Sequence, residues 1–208
     1  MEYSYSKGVI TLPDKELTIL DRLVLAFTSK INVKYVIVSG YVAILFGRSR
    51  STEDVDIFIE ELGRQDFAKF YNRIVKDGRF YCLNAESSKD AYEMLTEHGS
   101  SIRFAEKGTF DPNFEIKFPS NSLNRFSLEN AMVVKFNKRQ GLRIGPLELQ
   151  LAYKLKLGSE KDYDDAAHLY IAFKDDLDMP ALRDFIEELG IKRSIVEHIL
   201  DRDVYEKE

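Results

Sequence analysis

Apolar and polar residues follow two different rhythms along the chain, and the rhythm changes near residue 145. In the first part, short apolar stretches typical of buried strands alternate with segments in which apolar residues recur every three or four positions, as in amphipathic helices. After Gly145 and Pro146 only the helical spacing continues. The pattern predicts an α/β domain over residues 1–144 and a helical domain over residues 145–208.

Each predicted element follows from this spacing. In the first part the pattern predicts helices over residues 12–30, from residue 40, and over 66–78 and 89–99, and strands over residues 33–38, 54–60, 79–83, 100–105, 113–118 and 131–136. In the second part it predicts helices over residues 146–158, 159–173 and 179–190, and a last helix from residue 192. The expected fold is an α/β domain with a largely sequential sheet, followed by a helical bundle that closes a cleft.

Composition sets the class of protein. The chain has 208 residues, 44% of them apolar, and a formal net charge of −5. Its apolar runs are far shorter than the roughly 18 residues of a membrane span, and its first residues lack the layout of a signal peptide. We therefore expect a soluble cytoplasmic protein. Cys82 is the single cysteine, which excludes an internal disulfide.

One segment departs from the acidic average of the chain. Lys135, Lys138, Arg139 and Arg143 lie within nine residues that contain no acid. A basic cluster of this kind can bind a polyanion locally although the whole protein is acidic. Binding to RNA is therefore compatible with the sequence.

Two aspartates interrupt an otherwise apolar strand in the segment DVDIFIE. With a period of two, the apolar residues Val55, Ile57 and Ile59 share one face, and Asp54 and Asp56 share the other. The two carboxylates are then roughly 6 to 7 Å apart along the strand and repel each other unless a cation or hydrogen-bond donors compensate them. This arrangement indicates a metal site. A solvated strand edge is the alternative.

A glycine-containing loop precedes the aspartates. The predicted strand over residues 35–38 leads through Ser39 and Gly40 directly into a helix, so that small residues and free N–H groups can approach a phosphate. A simple turn glycine would give the same pattern. Combined with the two carboxylates, the loop indicates binding of a nucleoside triphosphate through Mg²⁺, and therefore phosphoryl or nucleotidyl transfer.

These residues resemble the nucleotidyltransferases of the DNA polymerase β fold. That family has a hydrophobic residue, Gly, and Gly or Ser, then about nine to thirteen residues, then an Asp and an Asp or Glu that alternate with hydrophobic residues. Here Val38, Ser39 and Gly40 are followed by thirteen residues and then by Asp54 and Asp56. Ser39 replaces the first glycine of the pattern, which puts the phosphate contacts of that position in doubt.

A narrower resemblance extends from about residue 35 to residue 170. The string RSTEDVD, with Arg50 and Thr52, is similar to the branch that contains abortive-infection and type IV toxin–antitoxin nucleotidyltransferases. That branch carries a lysine on one helix and an acid at the start of the next, and Lys154 and Asp162 match these positions. Lys156 is a rival for the lysine.

The helical spacing supports Lys154 and Asp162 independently. Lys154 falls on the apolar stripe of its helix, and Asp162 continues the stripe of the next helix, so both charges point inward. Asp162 also follows Ser159 by three residues, which is nearly a capping box, so the acid has a structural alternative role at the helix start.

The family also implies a third carboxylate on a later strand. Glu115 in FEIKF is the candidate, because Glu115 and Lys117 face away from the apolar residues of that strand. A salt-bridged strand surface would give the same pattern.

The resemblance implies a polymerase-β-like fold, two Mg²⁺ ions, a nucleoside triphosphate (NTP) substrate, and transfer of a nucleoside monophosphate to an RNA or protein hydroxyl. A cognate protein partner is implied by the toxin–antitoxin branch. The alternative is a non-catalytic member of the fold that binds RNA or a protein partner. The implied catalytic residues are Asp54, Asp56, Glu115, Lys154 and Asp162, of which the first three bind metal, and the implied nucleotide-binding residues are Ser39, Gly40, Arg50 and Thr52.

A shared function requires these side chains to converge. We expect the carboxylates of Asp54 and Asp56 to lie within about 6 Å of each other and Glu115 to border the same pocket. Lys154 is expected to face that pocket beside Ser39 and Gly40.

Overall fold

The computed structural model describes residues 3–6, 8–136 and 141–206. Lys138 and Arg139 of the predicted basic cluster lie outside these residues. None of the helices in the described ranges is long and apolar enough to cross a membrane.

The described residues form nine strands and ten helices. The strands are β1 (Ser4–Ser6), β2 (Val9–Thr11), β3 (Tyr35–Val38), β4 (Asp54–Ile59), β5 (Phe80–Cys82), β6 (Ile102–Glu106), β7 (Asn113–Lys117), β8 (Met132–Lys135) and β9 (Gly141–Ile144). The helices are α1 (Ile19–Thr28), α2 (Gly40–Leu45), α3 (Arg64–Val75), α4 (Ser88–Thr96), α5 (Ser122–Glu129), α6 (Leu147–Leu157), α7 (Glu160–Phe173), α8 (Met179–Glu188), α9 (Arg193–Ile199) and α10 (Asp203–Glu206).

The strands form one mixed sheet in the order β1-β2-β8-β9-β3-β4-β7-β6-β5. The central strand β3 is antiparallel to β4 and parallel to β9, and β4 is parallel to β7. The mixed α/β class is as expected, and five of the eight neighbouring strand pairs are consecutive in the chain, but β4 pairs with β7 rather than with β5. An apolar pattern defines which face of a strand is buried and does not specify its partner.

Several element boundaries differ from the expectation. Helix α1 begins at Ile19, not at residue 12, because Thr18 and Asp21 form a capping box in which each side chain accepts a hydrogen bond from the other's backbone N–H. The short strands β1, β2 and β9 and the helix α5 were not predicted.

The core is continuous between the sheet and the C-terminal helices. A single buried apolar cluster contains residues from both sides of the predicted boundary, among them Ile144, Leu151 and Phe173. Helix α6 packs on α7 and α8, and α7 also contacts α2 beside the sheet. The division at residue 144 stays a prediction, but the two parts share one core.

Helix α1 supports the strand that carries Glu115. The Phe27 ring stacks on Phe114 of β7 with ring centroids 3.9 Å apart, and its edge meets Phe80. Phe27 is fully buried. Its ring therefore fixes the side of β7 that faces away from Glu115, because neighbouring residues of a strand point to opposite faces.

We expect Phe27→Ala to lower the free energy of unfolding by about 3 to 5 kcal/mol, because it leaves a cavity among aromatic rings. Ile171→Ala is the control, since that side chain is 74% exposed, and should change stability by less than about 0.5 kcal/mol. Urea denaturation of both variants measures the difference. Equal effects would contradict the assignment of Phe27 to the core.

Candidate active site

Sheet register brings three carboxylates to one face. Asp54 and Asp56 project from the same face of β4, and Asp56 lies directly beside Glu115 of the parallel strand β7. Asp54 and Asp56 are half-buried and Glu115 is buried. Glu115 thus lies on the face that carries Asp54, which is the placement that the expected three-carboxylate site requires.

Two cations hold the Glu115 carboxylate. Lys117 Nζ lies 2.8 Å from Glu115 Oε2 and 3.0 Å from Asp56 Oδ1. Arg103 Nε donates a hydrogen bond of 2.7 Å to Glu115 Oε1, and Arg103 Nη2 lies 2.6 Å from the same oxygen as an ion pair. Burial alone would raise the pKa of Glu115, but the hydrogen bond and charge of Lys117, together with Arg103, lower it below its ordinary value. Both oxygens of Glu115 therefore have cationic partners, as in the alternative of a salt-bridged strand surface.

Asp54 is in a different electrostatic situation. Burial raises its pKa, and the charges of Asp56 and Glu115 raise it further. Among the ion pairs of the described ranges none involves Asp54. Thr52 Oγ1 donates a hydrogen bond of 2.8 Å to the Asp54 backbone carbonyl and lies 3.5 Å from its carboxylate. Thr52 therefore positions the start of β4, beside the carboxylate that lacks an ion-pair partner.

The loop between β3 and α2 has an unusual backbone. Ser39 has φ 66° and ψ −138°, a region that glycine adopts readily and residues with a Cβ rarely do. Its N–H donates a hydrogen bond of 3.0 Å to Gln150 Oε1 of α6. A Cβ on Gly40 would lie 2.5 Å from Arg50 Nη2, so Gly40 leaves the space that the guanidinium occupies. The loop is held by side chains from outside it.

Arg50 and Lys154 are joined through Asp165. Arg50 Nε and Nη2 donate to the two oxygens of Asp165 at 3.0 and 2.8 Å. Lys154 Nζ lies 3.0 Å from Asp165 Oδ2 and 2.8 Å from Asp162 Oδ1. Asp162 Oδ2 accepts a hydrogen bond from Ser159 Oγ at 2.6 Å. We call Arg50, Lys154, Asp162 and Asp165 the buried ion cluster.

The charges of the buried ion cluster balance one another. Burial would raise the pKa of Asp165, but Arg50 and Lys154 lower it below its ordinary value. The pKa of Asp162 is likewise lowered against burial, through the hydrogen bonds from Lys154 and Ser159. Asp162 forms this ion pair with Lys154 and also takes part in the expected helix cap, since Ser159 Oγ accepts a hydrogen bond from the Asp162 backbone N–H. The Lys154 charge is already compensated by protein groups.

A cavity of about 290 Å³ separates the sheet from α6. Ser39, Asp56, Lys117 and Lys154 line it, together with Val38, Phe58, Asn124, Ser127, Leu149, Gln150, Tyr153 and Leu157. Lys154 thus faces the cavity beside Ser39, as expected. The rival Lys156 does not line it and donates to the Leu189 carbonyl at 2.8 Å. Glu115 is not among the lining residues, so the expectation that it borders this pocket is wrong, because Lys117, which contacts Glu115, lines the cavity instead.

Comparison with known proteins now identifies the fold. The chain is similar to the crystal structure of an antigenic nucleotidyltransferase-like protein from Paracoccidioides brasiliensis, with a TM-score of 0.52 and 17% sequence identity. The similarity covers 94% of this chain and 99% of that chain. The fold is nucleotidyltransferase-like. No protein-family profile and no curated protein sequence matches the chain.

The expected fold class is therefore confirmed. Strand β4 with its two aspartates lies next to the central strand β3 of the mixed sheet. The narrower resemblance to abortive-infection and toxin–antitoxin proteins stays a prediction, as do the roles of the individual residues.

Sequence reasoning missed four polar residues of this site. Lys117 follows Glu115 by two positions and so shares its face, and Asp165 follows Asp162 by three positions on one helix. Both signals were present in the spacing. No comparable local signal points to Arg103 or Gln150, because their contacts join distant parts of the nucleotidyltransferase-like fold.

We expect Asp165→Asn to lower the free energy of unfolding at pH 7 by about 3 kcal/mol, because it leaves two buried cations with one carboxylate fewer. Asp164→Asn is the matched control. Asp164 is the neighbouring residue, is 57% exposed and pairs with Arg48 at 2.6 Å, so its loss should cost no more than about 1 kcal/mol.

The effect of Asp165→Asn should depend on pH. A carboxyl whose folded pKa is lowered stabilises the protein fully above its unfolded pKa of about 3.9, and this contribution is lost as pH falls through the folded pKa. The difference in stability from wild type should therefore be constant between pH 5 and 7 and shrink below about pH 4. Urea denaturation across this range measures it. A difference that grows on acidification would contradict the ion cluster.

We expect Ser39→Gly to raise the free energy of unfolding by about 1 kcal/mol, because glycine removes the strain at φ 66° and this gain exceeds the added entropy of the unfolded chain. Ser39→Ala is the control. It keeps the Cβ, and the Ser39 side chain makes no capping hydrogen bond, so its stability should stay near that of wild type. Thermal unfolding of both variants distinguishes strain from a side-chain effect.

Proposed function

We propose that this protein is a metal-dependent nucleotidyltransferase. It transfers a nucleoside monophosphate from an NTP to a hydroxyl of RNA or protein and releases pyrophosphate. The observation that carries this proposal is the position of Asp56, Lys117, Lys154 and Ser39 around one cavity, with Asp54 on the same sheet face as Asp56. Residues with only structural roles have no reason to converge in this way.

The carboxylate face carries a charge that suits a bound cation. Asp54, Asp56 and Glu115 supply three negative charges, and Lys117 and Arg103 return two positive ones. One negative charge remains. The raised pKa of Asp54 has the same origin, because burial and the neighbouring acids disfavour its ionised form.

Asp54 and Asp56 would hold a divalent cation. Carboxylate oxygens are the ligands that Mg²⁺ prefers, and Asp54 has no competing ion pair in the described part of the chain. The described residues contain no group of three or more acidic, His or Cys side chains arranged to hold a metal ion. When bound, such a cation polarises the α-phosphate and favours ionisation of the attacking hydroxyl.

The protein groups have separate tasks in this reaction. Lys117 and Lys154 line the cavity where the anionic triphosphate would lie, and Lys154 keeps its ion pairs with Asp162 and Asp165. A carboxylate of this face would accept the proton of the acceptor hydroxyl. The acceptor oxygen then forms its bond to the α-phosphorus as the bond from that phosphorus to the bridging oxygen breaks and pyrophosphate leaves.

The buried ion cluster would position these groups. Arg50 and Gly40 are in close contact at the loop, and Arg50 is fixed by Asp165. Lys154 is oriented toward the cavity by Asp162 and Asp165. We assign Arg50 and Asp162 a positioning role, since their polar atoms are used by other protein groups. A cognate protein partner is expected only from the toxin–antitoxin resemblance.

A second function is favoured by the state of Glu115. Its two oxygens contact Lys117 and Arg103, which leaves Asp54 and Asp56 as the carboxylates available to a metal. A protein that binds nucleotide or RNA without turnover would need no third metal ligand. The transferase would attach the α-phosphate of an NTP covalently to an acceptor molecule, whereas the binding protein would not.

We expect Mg²⁺ with an NTP to raise the melting temperature, because a ligand that binds only the folded state stabilises it. Asp54→Asn combined with Asp56→Asn should remove most of this increase and leave the unliganded fold intact. Asp66→Asn on α3, where the side chain is 66% exposed, is the control and should retain the increase. An undiminished metal-dependent increase in the double variant would contradict the site.

Label transfer tests the chemistry itself. Four α-³²P-labelled NTPs are incubated separately with the protein, Mg²⁺ and either total RNA or cell lysate. We expect covalent label on one class of acceptor, and none with the double aspartate variant. Nucleotide-dependent stabilisation without any labelled acceptor would favour the non-catalytic function.

A further inference from the structure

The Lys117 ammonium lies between the carboxylates of Asp56 and Glu115. Its Nζ contacts Asp56 Oδ1 at 3.0 Å and Glu115 Oε2 at 2.8 Å, and it is half-buried beside the cavity. The Lys117 ammonium therefore forms ion pairs with both carboxylates at once.

The pairing of β7 with its neighbouring strands fixes the position of the Lys117 side chain. Lys117 and Glu115 are two positions apart on β7, so their side chains share one face. The parallel register places Glu115 beside Asp56 and Lys117 beside Phe58. The ammonium therefore reaches back along the sheet to the pair of acids. Arg103, in register with Glu115 on β6, engages the remaining Glu115 oxygen.

A metal ion shared by Asp56 and Glu115 would compete with this ammonium. The Lys117 ammonium would repel a divalent cation placed beside it, because both carry positive charge. The carboxylate face, counted with Lys117 and Arg103, carries one net negative charge. One divalent cation already makes the net charge positive. A second divalent cation would make the protein site strongly positive before the triphosphate binds.

We infer that Lys117 takes the place of one of the two Mg²⁺ ions that the fold resemblance implies, so that the site holds a single divalent cation on Asp54 and Asp56. The Lys117 ammonium then provides the second positive charge and faces the phosphates from the cavity wall. This inference rests on the proposed function for the position of the triphosphate. The competition between Lys117 and a metal is a property of the free protein.

The test measures Mn²⁺ binding without nucleotide, by electron paramagnetic resonance and by isothermal titration calorimetry. Wild type should bind no more than one Mn²⁺ that is lost in Asp56→Asn. Lys117→Met should bind Mn²⁺ about tenfold more tightly and gain a second ion, because Asp56 and Glu115 lose their ammonium partner. Lys117→Arg keeps the positive charge and should gain no second Mn²⁺ ion.

Lys69→Met is the matched control for removal of a lysine. Lys69 pairs with Asp66 at 2.8 Å on the exposed face of α3, so its loss should leave Mn²⁺ binding unchanged. A Lys117→Met protein that binds Mn²⁺ no better than wild type would overturn the inference. So would two Mn²⁺ ions bound in wild type and lost in Asp56→Asn, a result that does not depend on the folding of Lys117→Met.

Failure of this inference differs from failure of the proposed function. Absence of nucleotide binding and of label transfer would contradict the proposed function and leave the Mn²⁺ comparison intact. A two-ion wild-type protein that transfers label would support the proposed function and overturn the role of Lys117.

Discussion

The burial of Asp165 is the constraint on which the rest of the site depends. Its side chain is fully inaccessible to solvent and contacts Arg50 and Lys154, which come from the segment before β4 and from α6. An unpaired buried carboxylate would be too costly, so the sheet side and the helical side must meet at this point. A buried ion pair adds little net stability over apolar packing, but it strongly favours one geometry over others. Here that geometry keeps the cavity between β4 and α6.

The site contains two neighbouring charge clusters, which differ in their charge balance. The cluster around Asp165 balances its charges internally and orients Lys154 toward the cavity. The carboxylate face retains one negative charge. Its acids differ in pKa, because Lys117 and Arg103 lower the pKa of Glu115, whereas burial and the neighbouring acids raise the pKa of Asp54. The carboxylates of this face therefore have different electrostatic surroundings although they look equivalent in the sequence.

Local periodicity could predict which residues share a face, and it did so for Asp54 with Asp56 and for Lys154 on its inward stripe. It could not predict which faces meet. The contact of Asp56 with Glu115 depends on the parallel register of β4 with β7, strands separated by more than fifty residues. The same limit explains why Lys117 was placed on the correct face without being assigned a partner. The fold class came from a motif, whereas the pairing of charges came only from three-dimensional register.

Ser39 shows how a departure from the family pattern is accommodated. The backbone there adopts a glycine-like conformation although the residue carries a Cβ, which stores strain in the loop. Gln150 accepts the Ser39 N–H, and Arg50 packs against Gly40 while held by Asp165. The contacts that fix the loop therefore come from α6 and α7, the same helices that carry Lys154 and Asp165. The strained loop and the buried ion cluster form one cooperative unit, so a change in either should alter the cavity that they share.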